Sequence, residues 1–271
     1  MDIENRGTDH DPDSDPGSDP GHEQDIISIL SEWDYDPASN VRKIVGSDGI
    51  SKIQIRVDQG AFQGILQLNL DGRPDGKRPH DVDFALDYYR TSQENYREKE
   101  DAGRFELNRK SCQELFDEGS RVYGRYVFLL QLKDYDRVIR DTERNMELFR
   151  FVHRHAAHEE DRMSLQKWWP YVLRINGTAR AMLKAGEGQY DESIGIIVQA
   201  RQQIAALKEV DAEEFHSELK RSGEALDELE RDIQDSRPLS EKATLEQELQ
   251  EAVDSERFEA AALLRDKLNS L

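Results

Sequence analysis

The sequence predicts an α+β protein that is mainly α: a small antiparallel β-sheet domain at the N-terminus, a repeat-like helical-hairpin middle and a C-terminal helical hairpin. Three observations predict it. Apolar residues alternate with a period of two only between Val41 and Leu70. Beyond Glu94 they recur at helical spacing to the chain end, and the acidic charge gathers at the two ends.

The first element is an acidic tail, residues 1–24, expected to be disordered. It lacks the basic start and apolar middle of a signal peptide. Asp11, Asp13, Asp15 and Asp19 alternate like calcium ligands, but the sixth position of such a loop, counted from Asp11, is Pro16 and the twelfth is His22. Calcium loops need Gly and a bidentate Glu there, so the tail reads as solvated chain rather than a metal site.

Residues 25–95 form the β-containing domain. Ile53, Ile55 and Val57 alternate with Lys52, Gln54, Arg56 and Asp58, and Leu66, Leu68 and Leu70 alternate with Gln67 and Asn69. This predicts a hairpin with one buried face. Val41 to Val45 adds a third strand through the turn Gly46 to Gly49. So small a sheet needs a cover, which Asp25 to Trp33 or Val82 to Arg97 could supply as helix.

The loop Asp71 to Pro79 follows, with two Asp-Gly steps and two prolines. Residues 40–80 carry seven basic and four acidic groups, and Arg56, Arg73, Lys77 and Arg78 form a candidate anion-binding set. No aromatic side chain interleaves them to stack a base.

Residues 96–208 read as helix pairs. Asp134-Tyr135-Asp136 and Gln189-Tyr190-Asp191 each look like the turn between two helices with a Tyr wedged into it, and they weakly resemble tetratricopeptide repeats, although 55 residues separate the tyrosines. Between Arg121 and Lys184 thirteen basic residues stand against eight acidic ones, a surface that would suit an acidic peptide. His155, His158 and Glu159 could face one metal on a helix, but no E-x-x-H pair accompanies them. Trp168-Trp169-Pro170 reads as a helix start, and Cys112 as a helix-face residue.

Residues 209–239 form an acidic helix. Phe215, Leu219, Leu226, Leu229 and Ile233 keep a coiled-coil-like spacing up to the break at Arg237-Pro238, so the helix is expected to serve as an arm. In residues 240–271 Leu245, Leu249 and Ala252 mark one helix, the polar stretch Asp254 to Arg257 interrupts, and Phe258, Ala261, Ala262, Arg265 and Leu268 mark another. Asp254 or Ser255 is the expected cap of the second helix.

This hairpin resembles the UVR motif, through which the excision-repair proteins UvrB and UvrC associate. The family's Phe-Glu-x-Ala-Ala-x-x-Arg-Asp string is filled by Phe258, Glu259, Ala261, Ala262, Arg265 and Asp266, while Val253 stands where many members carry alanine. The resemblance implies binding to another such hairpin or to a second copy of the chain. It does not extend to the family's catalytic parts. Gly72 to Arg78 has the wrong spacing for a phosphate loop and lacks its hydroxyl, the Gly-Ile-Tyr pair of the UvrC nuclease is missing, and one cysteine cannot build a CxxC zinc site.

The expected function is therefore a non-enzymatic, cofactor-free protein-protein adaptor in the cytoplasm. The alternative is a nucleic-acid-binding accessory of excision repair. A mean hydropathy of -0.85 and the absence of a long apolar run argue against a membrane span. Residues 1–25 hold nine acidic and one basic group and residues 209–271 nineteen and eight, while the stretch between is close to neutral. Two acidic ends repel phosphate, so binding to DNA or RNA at physiological salt is expected to be no tighter than micromolar. A low-nanomolar, salt-sensitive gel shift would contradict this.

Overall fold

The computed structural model describes residues 26–97, 104–238 and 241–269. The expected disordered tail lies outside them. The chain divides into two compact units at Asp71 and Gly72. The loop after the sheet, and the helix that follows it, therefore belong with the helical unit rather than with the sheet.

The first unit holds α1 (Ile27–Ser31) and three strands, β1 (Val41–Val45), β2 (Ser51–Gln59) and β3 (Phe62–Asn69). The strands pair antiparallel in the order β1-β2-β3, with Ile53 facing Lys43 and Leu68, and Ile55 facing Val41 and Leu66. Only Gly60 and Ala61 separate β2 from β3, and Gly60 alone takes a positive φ, of 62°. That is the requirement of a two-residue turn with Gly first, and it makes the hairpin tighter than the composition suggested.

The expected division into one apolar and one polar face does not hold on β2. Ile53 and Ile55 are buried as expected, but so are Gln54 and Arg56 on the opposite face, whereas Leu66 on the edge strand is exposed. Gln54 accepts from Arg42 Nε at 3.0 Å and donates to Gln67 Oε1 at 2.8 Å, a ladder across three strands. The Arg42 guanidinium lies 4.1 Å from the centre of the Trp33 ring. Being central therefore decides burial here more than being polar does. α1 buries no residue, so it does not form the expected cover.

The second unit runs through α2 (Ala85–Arg97), α3 (Arg109–Gln131), α4 (Tyr135–His155), the short α5 (Glu159–Met163), α6 (Trp169–Gly186), α7 (Tyr190–Ala205), α8 (Glu213–Ser236), α9 (Glu241–Asp254) and α10 (Phe258–Leu268). Leu115, Leu148, Val152, Val172, Ile197 and Leu226 are among its core residues. α4 packs on α3 and α6, and α6 in turn on α7 and α8. At the α6–α7 crossing a Cβ on Gly177 would stand 2.7 Å from that of Ala200, so only glycine allows this approach.

The two expected helix pairs are present, α3 with α4 and α6 with α7, and Tyr135 and Tyr190 open the second helix of each. Their turns share one geometry. Lys133 and Gly188 take positive φ of 55° and 77°, and the next residue's N–H reaches back to Leu129 O at 2.9 Å and to Lys184 O at 2.9 Å. This closes each first helix in the manner of a Schellman turn, with Gly188 the natural occupant and Lys133 adopting the same conformation at some cost. The 55-residue spacing arises because α5 and a 3-10 turn, Gln166–Trp168, intervene between α4 and α6.

One expectation fails in this unit, and the discounted histidine cluster does not assemble. α8 is no free arm: Phe215, Ser222, Leu226 and Ile233 are buried against the helices it packs on. Arg201 on α7 fixes it further through Glu230 and Asp227, and Ser222 donates to Pro170 O at 3.2 Å. The histidines do not share a helix, because α4 ends at His155 and Ala156 is extended, bridging to Leu107. His155 packs its ring against Phe105 and Phe151 instead, and no metal-binding group occurs among the described residues. Cys112 is buried as a helix residue, and burial pushes its thiol up to about 11, too high for a reactive thiolate.

Buried charge organises the helical unit. Arg125 on α3 grips Asp141 on α4 with a two-pronged contact, Nε–Oδ2 2.7 Å and Nη2–Oδ1 2.8 Å, and donates from Nη1 to Gly72 O at 2.7 Å. Two turns earlier on α3, Glu118 accepts from the Ala85 and Leu86 amides at 2.6 and 3.1 Å, so it caps α2 from outside, and from Arg73 Nη1 at 3.3 Å. Removing one member of a buried pair leaves the other charge stranded. Asp141→Ala is expected to cost about 3–5 kcal/mol. Denaturant unfolding measures it, and an unmoved midpoint would contradict this role.

Candidate functional site

The C-terminal hairpin is built by the same turn as the two pairs before it. Glu256 takes a positive φ of 59°, its N–H donates to Val253 O at 3.0 Å, and Arg257 N–H donates to Ala252 O at 2.8 Å. Phe258 then opens α10 as Tyr135 opens α4 and Tyr190 opens α7. Neither expected cap is used. The N-cap is Arg257, with no side-chain hydrogen bond, and Asp254 instead accepts from Gln250 Nε2 at 2.8 Å within α9. Glu259 in the first turn of α10 and Arg265 and Lys267 in its last turn suit the helix dipole.

Two alanines close the seam. Ala252 and Ala261 are 1% and 8% exposed, each in the turn of helix next to the bend. Leu245 and Leu249 on α9, and Ala262, Leu264 and Leu268 on α10, are half-buried. Sequence reading missed Leu264, although its position three residues after Ala261 and four before Leu268 is the signal that places it on the seam. Among the described elements α9 and α10 pack chiefly on one another.

The rest of the motif faces outward. Phe258 and Leu263 are each 68% exposed, Val253 near the end of α9 is exposed too, and Glu259, Arg265 and Asp266 are exposed. Arg265 and Asp266 touch only at 3.5 Å. The residues singled out in the sequence therefore divide into two sets. Leu245, Leu249, Ala252, Ala261, Ala262 and Leu268 hold the hairpin together; Phe258, Glu259, Arg265 and Asp266 are presented to solvent.

The anion-binding set does not form one exposed surface. Arg56 is 4% exposed and donates to Val57 O at 3.2 Å. Arg73 is 9% exposed and is engaged by Asp75 at 2.9 Å as well as by Glu118. Lys77 and Arg78 are exposed, and Arg78 pairs with Asp83 at 3.3 Å. A loop that positions an arginine for an internal carboxylate looks, in sequence, like a loop that offers it to a ligand.

The basic helical middle is likewise engaged internally. Beyond Arg125, acids hold Arg121 (Asp75, 3.1 Å), Arg144 (Asp87, 3.3 Å), Lys167 (Glu214, 2.5 Å) and Arg174 (Glu218, 3.4 Å). Several of these acids lie outside the basic stretch itself. Local charge counting therefore overstated the positive surface.

Comparison with known proteins agrees with the hairpin reading. The family model described as the UvrB/uvrC motif matches residues 240–271. No curated protein and no solved structure matches the chain. No described helix is long and apolar enough to cross a membrane.

The alanine seam gives a direct test of the hairpin's construction. Ala261→Glu would place a carboxylate between α9 and α10 and is expected to open them. Circular dichroism should then show a loss of helical signal while the main melting transition stays in place. Unchanged helicity would contradict the seam.

Proposed function

We propose that this chain is a non-enzymatic adaptor whose C-terminal hairpin docks on another hairpin of the same kind, in a partner protein or in a second copy of the chain. The observation that carries the reading is Phe258. It is the largest apolar side chain of the motif, yet it is 68% exposed beside a seam that two alanines have already closed. An aromatic left out of its own hairpin's seam is an anchor for a second one.

Charge supports the same geometry. α9 carries five acidic side chains and one basic, whereas α10 balances Glu259 and Asp266 with Arg265 and Lys267. Setting α10 of one hairpin on α9 of another would bring those two cations toward the acids, and would cover Phe258 and Leu263. A hairpin this small gains the rest of its stability from such a partner.

The nucleic-acid accessory reading loses support because Arg56 and Arg73 are buried. The adaptor reading also needs no catalytic group, consistent with a motif match confined to the hairpin.

Removing the anchor tests the proposal. Phe258→Ala is expected to weaken association by about 2 kcal/mol, roughly thirtyfold in Kd. Sedimentation for self-association and quantitative pull-down for a partner both measure it, with a chain lacking residues 240–271 as the reference. If the variant and the truncated chain retain every association of the intact chain, the proposal fails.

A further inference from the structure

The helical unit also holds a cavity of about 300 Å³ that the docking hairpin does not use. Six aromatic rings wall it: Phe116, Tyr123 and Tyr126 from α3, Phe149 from α4, Trp168 from the segment before α6, and Tyr171 from α6. Gly119 also lines it, and a Cβ there would lie 3.7 Å from Asn145 Oδ1 and from the Leu148 methyls. Tyr123 meets Tyr126 and Tyr171 edge to face, at ring separations of 5.5 and 5.6 Å. Tyr123 and Trp168 are exposed, so the cavity opens to solvent past two rings.

The polar groups of the wall are neutral apart from one carboxylate. Glu218 is buried and is the one charged side chain lining the cavity. Arg174 at 3.4 Å and Arg221 at 3.1 Å touch its carboxylate, but neither lines the cavity. Asn145 donates its amide nitrogen to Gly119 O at 3.1 Å, and its Oδ1 is buried with no hydrogen-bond partner. Two of the wall's rings lie near protein cations, Trp168 with Lys167 at 5.3 Å and Tyr171 with Arg174 at 5.1 Å.

The geometry points to a binding site for a quaternary ammonium group, held by the aromatic wall. Ring faces carry negative potential and attract cations, most strongly where water is displaced. A primary ammonium brings three N–H donors and a guanidinium five, and they would have to find acceptors among Asn145 Oδ1, Glu218 and a few hydroxyls in a wall whose larger area is aromatic carbon. A fully methylated ammonium has no donors to satisfy and presents only methyl groups to the rings. The volume is at the small end for a ligand pocket, which suits a head group rather than an extended molecule. A free choline-like cation and a trimethylated lysine side chain offer this chemistry equally. The assignment is independent of the hairpin.

Calorimetric titration of the full chain tests it. The probes are choline, its uncharged isostere 3,3-dimethylbutan-1-ol, and a short peptide containing trimethyllysine. Choline is expected to bind at least tenfold more tightly than the alcohol. Trp168→Leu and Tyr123→Leu, both at exposed positions, should each weaken it tenfold or more without moving the thermal midpoint. Tighter binding of the peptide than of choline assigns the site to a partner's side chain, and the reverse order to a free cation; either result supports the site. Equal affinity for choline and the alcohol would show an apolar cavity only and overturn the proposal. So would failure of both choline and the peptide to bind, or full affinity in the two wall variants. If a wall variant melts early, Ser120→Phe, which fills the mouth from an exposed position, decides: retained choline binding overturns the site and lost binding upholds it.

Discussion

The helical unit depends on keeping two carboxylates out of water. Asp141 and Glu118 are both buried, and each is tolerable only because its donors come from different parts of the chain. Arg125 brings α3 to α4 through Asp141 and takes the Gly72 carbonyl with its remaining prong. Glu118 brings the start of α2 and the Arg73 loop to α3. A planar guanidinium can serve a carboxylate and a carbonyl at once, which a lysine ammonium with its point-like charge matches poorly. The loop from Gly72 and the start of α2 are thus tied to the helices by charge rather than by apolar area alone.

Around that fixed centre, one kind of turn is used three times. Lys133, Gly188 and Glu256 each take the left-handed conformation, and an aromatic residue opens the next helix two positions later. In the first two pairs other helices cover the result: α4 packs on α6, and α8 packs on α6 and α7. In the third no comparable cover exists among the described elements, so Phe258 remains exposed where Tyr135 and Tyr190 are half-buried. The same local chemistry therefore yields structure in the body and an available surface at the hairpin. What differs is the neighbouring layer.

Much of this was legible in the sequence. Period two located the strands, the Tyr-Asp steps located two helix turns, and Phe258 with its alanines located the third, while the register came only with the two-residue turn at Gly60. Side-chain fate was less legible, because burial is decided by partners distant along the chain. Arg73 looked available for an anion until Glu118, 45 positions away, claimed it. The apolar spacing of α8 fits a coiled coil and a third packed layer equally well; Ser222 and Glu218, buried between its apolar residues, mark the packed layer only in hindsight. His155 and His158 have metal-like spacing only if the helix continues, and it stops at His155. The aromatic cavity escaped notice because its rings come from separate helices, each ordinary by itself.

The central claim is that the hairpin is a separate element, held to itself and free to dock, beside a helical body with its own core. Native-state hydrogen exchange on the intact chain tests this most directly. The account predicts two levels of protection: amides of α9 and α10 open with a much smaller free energy than those of α3, α4 and α6, and only the hairpin amides gain protection when the chain associates. If the hairpin amides exchange only through global unfolding, or if association protects the body and leaves the hairpin unchanged, the hairpin is an integral part of the body and the account is wrong.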